Sequence, residues 1–240
     1  MSYLQFAPLR AFRAARVVAA DPDQLPEVFT IIESLSVDTL QRIGRRMQES
    51  EMGRRLIEKR PDVVELLADR DALAKLPAGS LGRAYLAFVE REKISADGIR
   101  EAAKAGMKHA GDIPAPLDWV HARMRDTHDL WHAVTGYSGD VLGEASLLAF
   151  TFAQTHNPGI AFIIAIAIAK TANAALGGGK EARKTMLDGF RRGRKAAWLP
   201  GQDWESMLAL PIEEVRARLG IEAPAVYTEI RSSELKAAAA

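Results

Sequence analysis

A chain of 240 residues with 48% hydrophobic and 26% charged residues is long enough for one sizeable core and has the composition of an ordinary folded protein. Its formal charge of +1 excludes a strongly basic nucleic-acid binder at the level of the whole chain. With no cysteine there is no disulfide framework and no thiolate metal site, so any ion must be held by imidazoles and carboxylates.

Residues 1–20 carry Arg10, Arg13 and Arg16 and no acid before Asp21. They lack the unbroken apolar core of a secretory signal and read as an N-terminal amphipathic segment containing a short first helix. A mitochondrial transit peptide is the alternative, disfavoured by the single serine. Asp21-Pro22-Asp23 opens a helix to about Ser34, and Ser36 and Ser50 are expected N-caps of the next two. Pro61-Asp62, Ser80 and Ser95 start further helices, with Leu81, Tyr85, Phe88 and Val89 forming an apolar face after Ser80. Gly111-Asp112-Ile113-Pro114-Ala115-Pro116 breaks the pattern, and Asp118 starts the helix that carries the motif described below. Pro211 opens the last helix and Gly220 closes it.

Ile160 to Ala169 is apolar without interruption but about half the ~20 residues a bilayer-spanning helix needs. It reads as a buried core helix, with a cavity wall or a membrane-lying helix as alternatives. Gly177-Gly178-Gly179-Lys180 fails the phosphate-loop pattern, because Ala174 replaces the first glycine and Glu181 follows the lysine; it reads as a helix-ending turn. The helix after it is basic through Lys180, Arg183, Lys184, Arg191, Arg192, Arg194 and Lys195. That suits a solvated face or anionic lipid headgroups better than nucleic acid, for which it has few stacking aromatics. Two-residue alternation is nearly absent, so the expected fold is all-α: a single-domain multi-helix bundle over 21–222, with a C-terminal tail over 223–240 whose Glu234 to Ala240 portion is loosely ordered.

His128-Asp129-Leu130-Trp131-His132 is the most informative stretch. Two histidines four positions apart share a helix face with Cβ atoms about 6 Å apart, close enough to reach one divalent ion. Glu144 lies twelve positions further on, some 18 Å away along a straight helix at about 1.5 Å per residue. Gly136-Tyr137-Ser138-Gly139-Asp140 between them is where the chain would stop, turn and fold a second helix back. The expected ligands are His128, His132 and Glu144, with Asp129 as a further ligand or as the group orienting an imidazole. Asp129 and Tyr137 are the candidate catalytic residues, Tyr137 for proton handling because it lies in the bend. The residue after the first histidine is not the Glu of the HExxH metalloproteases, and imidazoles with carboxylates suit zinc and iron(II) alike. A histidine–aspartate phosphohydrolase would need more ligands, for which His109, His121 and Asp118 are available but unmarked. Gln154, His156 and the tryptophans at 119, 131, 198 and 204 are either site or core residues.

The pattern H-D-x-x-H, eleven residues, then E resembles the signature of the ubiquinone (coenzyme Q) biosynthesis protein 4 family. Leu-Trp-His-Ala-Val-Thr-Gly-Tyr through the motif, Leu-Gly-Glu at 142–144 and Leu76-Pro77-Ala78-Gly79-Ser80-Leu81-Gly82-Arg83-Ala84-Tyr85 are similar too. So are the regions of Gly193-Arg194, Trp204-Glu205 and Val215-Arg216 to Leu219-Gly220-Ile221, and the likeness covers roughly residues 25–221. The resemblance implies ubiquinone biosynthesis: metal-dependent removal of the C1 carboxylate from a polyprenyl-4-hydroxybenzoate, alone or coupled to hydroxylation at that carbon. It implies a divalent ion, zinc first and iron if the carbon is hydroxylated, and an apolar groove for the lipid tail. It also implies a homo-oligomer working with other ubiquinone-biosynthesis enzymes, peripherally on the cytoplasmic face of a bacterial inner membrane, or on the mitochondrial inner membrane in a eukaryote. The alternative is a non-catalytic lipid-binding scaffold that organises those enzymes.

Overall fold

Capping side chains divide the chain into short helices that pack on one another. The computed structural model describes residues 6–36, 38–107, 113–171, 179–225 and 227–233. His109, the Gly111-Asp112 break, the Gly177-Gly178 turn and the Glu234 to Ala240 tail lie outside them. Among the described residues there are fifteen α-helices and no named strand; an isolated antiparallel bridge joins Ser80 to Pro211. The all-α expectation holds.

Helix α1 (Pro8–Ala20) buries Ala11, Ala14 and Ala15 and packs against α2 (Leu25–Leu35). Ser36 was expected to start the next helix; instead it ends α2, its N–H bonding to the Ile32 carbonyl and its hydroxyl to Asn157 Oδ1 at 2.6 Å. Helix α3 (Thr39–Glu49) begins after Asp38 without a side-chain cap. The other caps fall as read. Ser50 accepts the Gly53 N–H for α4 (Glu51–Lys59), and Asp62 accepts that of Val64 for α5 (Val63–Ala68). Asp69 adds an unforeseen cap for α6 (Arg70–Lys75). Ser80 caps α7 (Leu81–Glu92) and Ser95 caps α8 (Ala96–Gly106).

The second half begins with α9 (Leu117–Asp126) and α10 (His128–Thr135). Next come α11 (Val141–Thr155), α12 (Pro158–Thr171) and α13 (Gly179–Lys195). After α14 (Trp204–Met207), α15 (Ile212–Leu219) runs from Pro211 to Gly220, whose φ of 63° is left-handed. The main core gathers α7, α10, α11 and α15 around Tyr85, Trp131, Tyr137, Phe150 and Trp204, all fully buried. Helices α11 and α13 approach closely at Gly189 and Gly193, where a Cβ would strike the Ser146 and Phe150 carbonyl oxygens. Arg192, between them, is not part of a solvated basic face. It is buried, lies over the Tyr137 ring and donates to the Thr135 carbonyl at 2.6 Å.

The apolar run forms α12, which packs on α1, α2, α11 and α13. Ile160 and Ile163 are buried, while the helix becomes more exposed toward its C-terminal end. Among the described residues no helix is long and apolar enough to cross a membrane.

Candidate metal centre

The motif helix differs from the reading in one respect: it does not run unbroken from Asp118. Thr127 separates α9 from α10, its hydroxyl donating to the Arg123 carbonyl at 2.8 Å, a back-bond that bends helices. Within α10 His128 and His132 sit one turn apart, ring centroids 4.8 Å apart and edge to face. Gly136 then takes φ +79°, a left-handed conformation that glycine adopts without a Cβ clash. Four residues later Asp140 caps α11, its Oδ1 accepting the Leu142 and Gly143 N–H groups at 3.1 and 3.2 Å. Glu144 is thereby delivered in the first turn of α11.

The three side chains meet. Glu144 Oε1 lies 3.2 Å from His132 Nε2, and Oε2 lies 3.8 Å from His128 Nε2. One ligand atom from each of the three falls within 4.8 Å of the others. Ligands bonded at roughly 2.0–2.2 Å around a tetrahedral ion stand about 3.3 Å apart, a spacing the carboxylate–imidazole distances approach, so small side-chain shifts would gather the three on a divalent ion.

The hydrogen bonds aim both rings. His132 is buried, stacks on Phe88 at 4.8 Å between centroids, and donates Nδ1–H to the Tyr137 carbonyl at 2.9 Å. Its Nε2 is buried without an aligned hydrogen bond, a nitrogen pointed where a cation would lie. His128 Nδ1 faces Asp129 Oδ1 at 3.2 Å, leaving Nε2 for the centre. Asp129 thus stands behind His128 as the orienting group; among the described residues the cluster able to hold an ion is His128, His132 and Glu144 without it. Asp118 and His121 do not join that cluster, so the phosphohydrolase ligand set is not assembled by the described residues.

Burial disfavours a charged His132, yet the Glu144 carboxylate, assisted by Asp129 and the Tyr137 carbonyl, outweighs it and raises the imidazole above its ordinary 6.5. Burial would likewise raise Glu144, but His132 and His128 hold it down at about 2. The Glu144 side chain is 43% exposed and lines the cavity described next. A pH dependence follows for metal uptake. Below the raised His132 value an incoming ion must expel the His132 proton, so affinity should fall as the pH is lowered through that value and level off above it. Glu144 stays ionised down to about pH 2 and adds no step in between. Calorimetry in buffers of different ionisation enthalpy should therefore record proton release on metal binding on the acidic side.

The centre opens on a cavity of about 1520 Å³, larger than the roughly 300–1,000 Å³ of ordinary small-molecule sites. His121, Arg125, His128, Asp129 and Glu144 are among its polar lining, and Val28, Ile43, Leu148, Ile163 and Met186 are among its apolar lining. His121 and Arg125 were missed as a set, although positions 121, 125, 128 and 132 follow one helical stripe. The sequence reading gave the tail no part in the site. Ile230 and Arg231 line the cavity, the Ile230 N–H donates to Asp140 Oδ1 at 2.7 Å, the Tyr227 hydroxyl bonds to Asp140 Oδ2, and Arg231 pairs with Glu92 at 2.6 Å. Only long-range packing joins these residues to the site, so no local spacing announces them.

Tyr137 corrects the proton-handling expectation. Its phenol does not line the cavity; the ring is buried in the core, edge-on to Tyr227 and beneath Arg192. It serves the centre through its carbonyl, because the bend that exposes that oxygen to His132 turns the side chain inward. Gln154 is structural, accepting the Leu199 N–H at 2.8 Å. His156 is exposed at the end of α11, and Trp131 and Trp204 are core.

Fold and site together define an all-helical protein in which two imidazoles and a carboxylate could hold a divalent ion beside a largely apolar cavity. Residues 4–225 match the family described as Coenzyme Q (ubiquinone) biosynthesis protein Coq4, and the chain belongs to that family. It is 33% identical over 193 residues to the mitochondrial ubiquinone biosynthesis protein coq4 of Talaromyces stipitatus, a match covering 79% of this chain and 63% of that relative. It is 30% identical over 207 residues to the mitochondrial COQ4 homolog of Aedes aegypti, covering 84% of this chain and 70% of that one. A crystal structure from Nostoc punctiforme PCC 73102, provisionally described as a ubiquinone biosynthesis protein, shares the fold at a TM-score of 0.65 and 22% identity, covering 91% of this chain and all of that one.

Proposed function

We propose that this protein acts in ubiquinone biosynthesis by removing the C1 carboxylate from a polyprenyl-4-hydroxybenzoate. The observation that carries the reading is the His128–His132–Glu144 cluster opening on a large apolar cavity. An ion held by these three residues supplies Lewis acidity and, if it is iron, redox chemistry with open positions. The chain supplies the rest. An alkyl tail gains about 0.8 kcal/mol per buried CH2, so the apolar walls bind the polyprenyl group without polar contacts. Arg70, Lys93 and Arg125 line the same cavity. Arg70 and Lys93 make no ion pair among the described residues, which leaves them for the ring carboxylate or phenolate. Asp129 fixes the His128 ring and the Tyr137 carbonyl fixes His132, so both nitrogens are pre-aimed.

Simple decarboxylation exchanges the carboxylate for a proton and consumes no oxygen, whereas the hydroxylating branch leaves a hydroxyl on C1 and consumes it. The test is elemental analysis of the purified protein followed by incubation with polyprenyl-4-hydroxybenzoate, with and without air. Release of carbon dioxide from the C1 carboxylate, dependent on the metal, is the expected result. Lipid retained without turnover under either atmosphere would instead favour the scaffold that gathers other ubiquinone-biosynthesis enzymes. By the same reading the protein works peripherally, at the cytoplasmic face of a bacterial inner membrane or at the mitochondrial inner membrane.

A further inference from the structure

Helix α1 reverses the usual arrangement of an amphipathic helix. It buries three alanines and leaves its large apolar side chains outside, with Leu9 75%, Phe12 58% and Val17 43% exposed, and Phe6 just before the helix 68% exposed. Leu9, Phe12, Arg13 and Arg16 stand at i, i+3, i+4 and i+7 on one face, flanked by Phe6 and Val17. Arg13 and Arg16 are exposed and form no ion pair among the described residues. The whole stretch from Phe6 to Ala20 contains no acid.

Exposed apolar groups gathered in one patch mark a surface that meets something. Two guanidinium groups without an ion pair among the described residues, set within the patch, complement an anionic surface. At 13 residues the helix is far shorter than the ~20 needed to span a bilayer, which leaves it lying in the interfacial plane. The helix is also continuous with the cavity. Val18, Ala19 and Ala20 at its end, and Leu25 beyond the turn, line the cavity wall. A bilayer against the outer face would therefore lie beside the space that accepts an apolar ligand.

We propose that Phe6, Leu9, Phe12 and Val17, together with Arg13 and Arg16, form the surface by which this protein docks on an anionic phospholipid bilayer. The peripheral location comes from the functional reading above; the face and the lipid charge come from α1. Binding is measured without turnover, so failure here and failure of the decarboxylase reading are separable.

The full chain is floated with neutral phosphatidylcholine vesicles and with vesicles containing phosphatidylglycerol. It should float with the anionic vesicles and lose binding as salt rises, because surface charges are screened. Arg13→Gln with Arg16→Gln should lower the partition by about 30-fold, given the usual contribution of each basic residue at an anionic surface. Leu9→Glu with Phe12→Glu should abolish flotation. These side chains are exposed, so circular dichroism and Tm should stay unchanged; a Phe12→Ala variant gives a milder reading if the double variant misfolds. Full flotation by both double variants, or none by the parent chain, overturns the proposal. So does loss of flotation confined to Lys184→Gln with Arg191→Gln on α13. If sedimentation shows the Leu9/Phe12 variant losing a dimer while flotation persists, the face belongs to a second copy and the proposal fails.

Discussion

His132→Ala is expected to empty the metal site and to lower carbon dioxide release from polyprenyl-4-hydroxybenzoate by more than about 100-fold, the upper end of what even an outer residue of a metal site contributes. The imidazole is the buried member of the cluster and has an alignment that no water can replace: Phe88 on its face, the Tyr137 carbonyl on Nδ1 and Glu144 beyond Nε2. Removing it also strips Glu144 of the main positive neighbour that holds its carboxyl at about 2. Asp129→Asn is the informative contrast. It leaves the three ligands in place and weakens only the group behind His128, so metal affinity should drop by about 10–100-fold while excess metal restores turnover. Metal content per chain by elemental analysis, beside turnover at saturating metal, separates the two variants. Equal turnover by the parent and the alanine variant would remove the cluster from the reaction.

Gly143→Ala should have the second largest effect, although it adds only a methyl group beside a ligand. The new Cβ would overlap the Ser138 carbonyl oxygen and sit 2.6 Å from the Tyr227 hydroxyl and 2.7 Å from Asp140 Oδ2. Backbone on one side and a capped carboxylate on the other leave nothing flexible to yield. Overpacking of this kind costs about 1–3 kcal/mol, or a Tm lower by roughly 2–12 °C in a chain of this size. The strain falls on the cap that starts α11, so Glu144 should shift with it and metal affinity should fall by more than about tenfold. Thermal melts with and without added metal check both parts: the metal-induced rise in Tm should shrink along with the baseline.

The meeting of His128, His132 and Glu144 was legible because each step had a local cause. Helical spacing pairs His128 with His132, Gly136 ends that helix, and Asp140 is a short acid well suited to begin the next. The caps at Ser50, Asp62, Ser80 and Ser95 were legible for the same reason. Ser36 was not, because its hydroxyl is drawn to Asn157, 121 positions away. Thr127 interrupts a helix with neither Gly nor Pro to announce it, through a hydroxyl bond to its own backbone. Tyr137 shows the limit of reasoning from adjacency, since a turn that offers a carbonyl to one neighbour must send the side chain elsewhere. The cavity was legible only as one apolar run, because most of its walls come from other helices. Residues 227–233 looked like a tail until Asp140 gave their backbone and hydroxyl groups a partner.

The candidate ligands lie in one short stretch, residues 128–144, while the cavity walls are contributed by helices scattered from α1 to α13. The cluster and the chamber are thereby uncoupled in inheritance. Substitutions in α2, α11 or α12 can lengthen, shorten or reshape the chamber one side chain at a time while the His128–His132–Glu144 cluster is left alone.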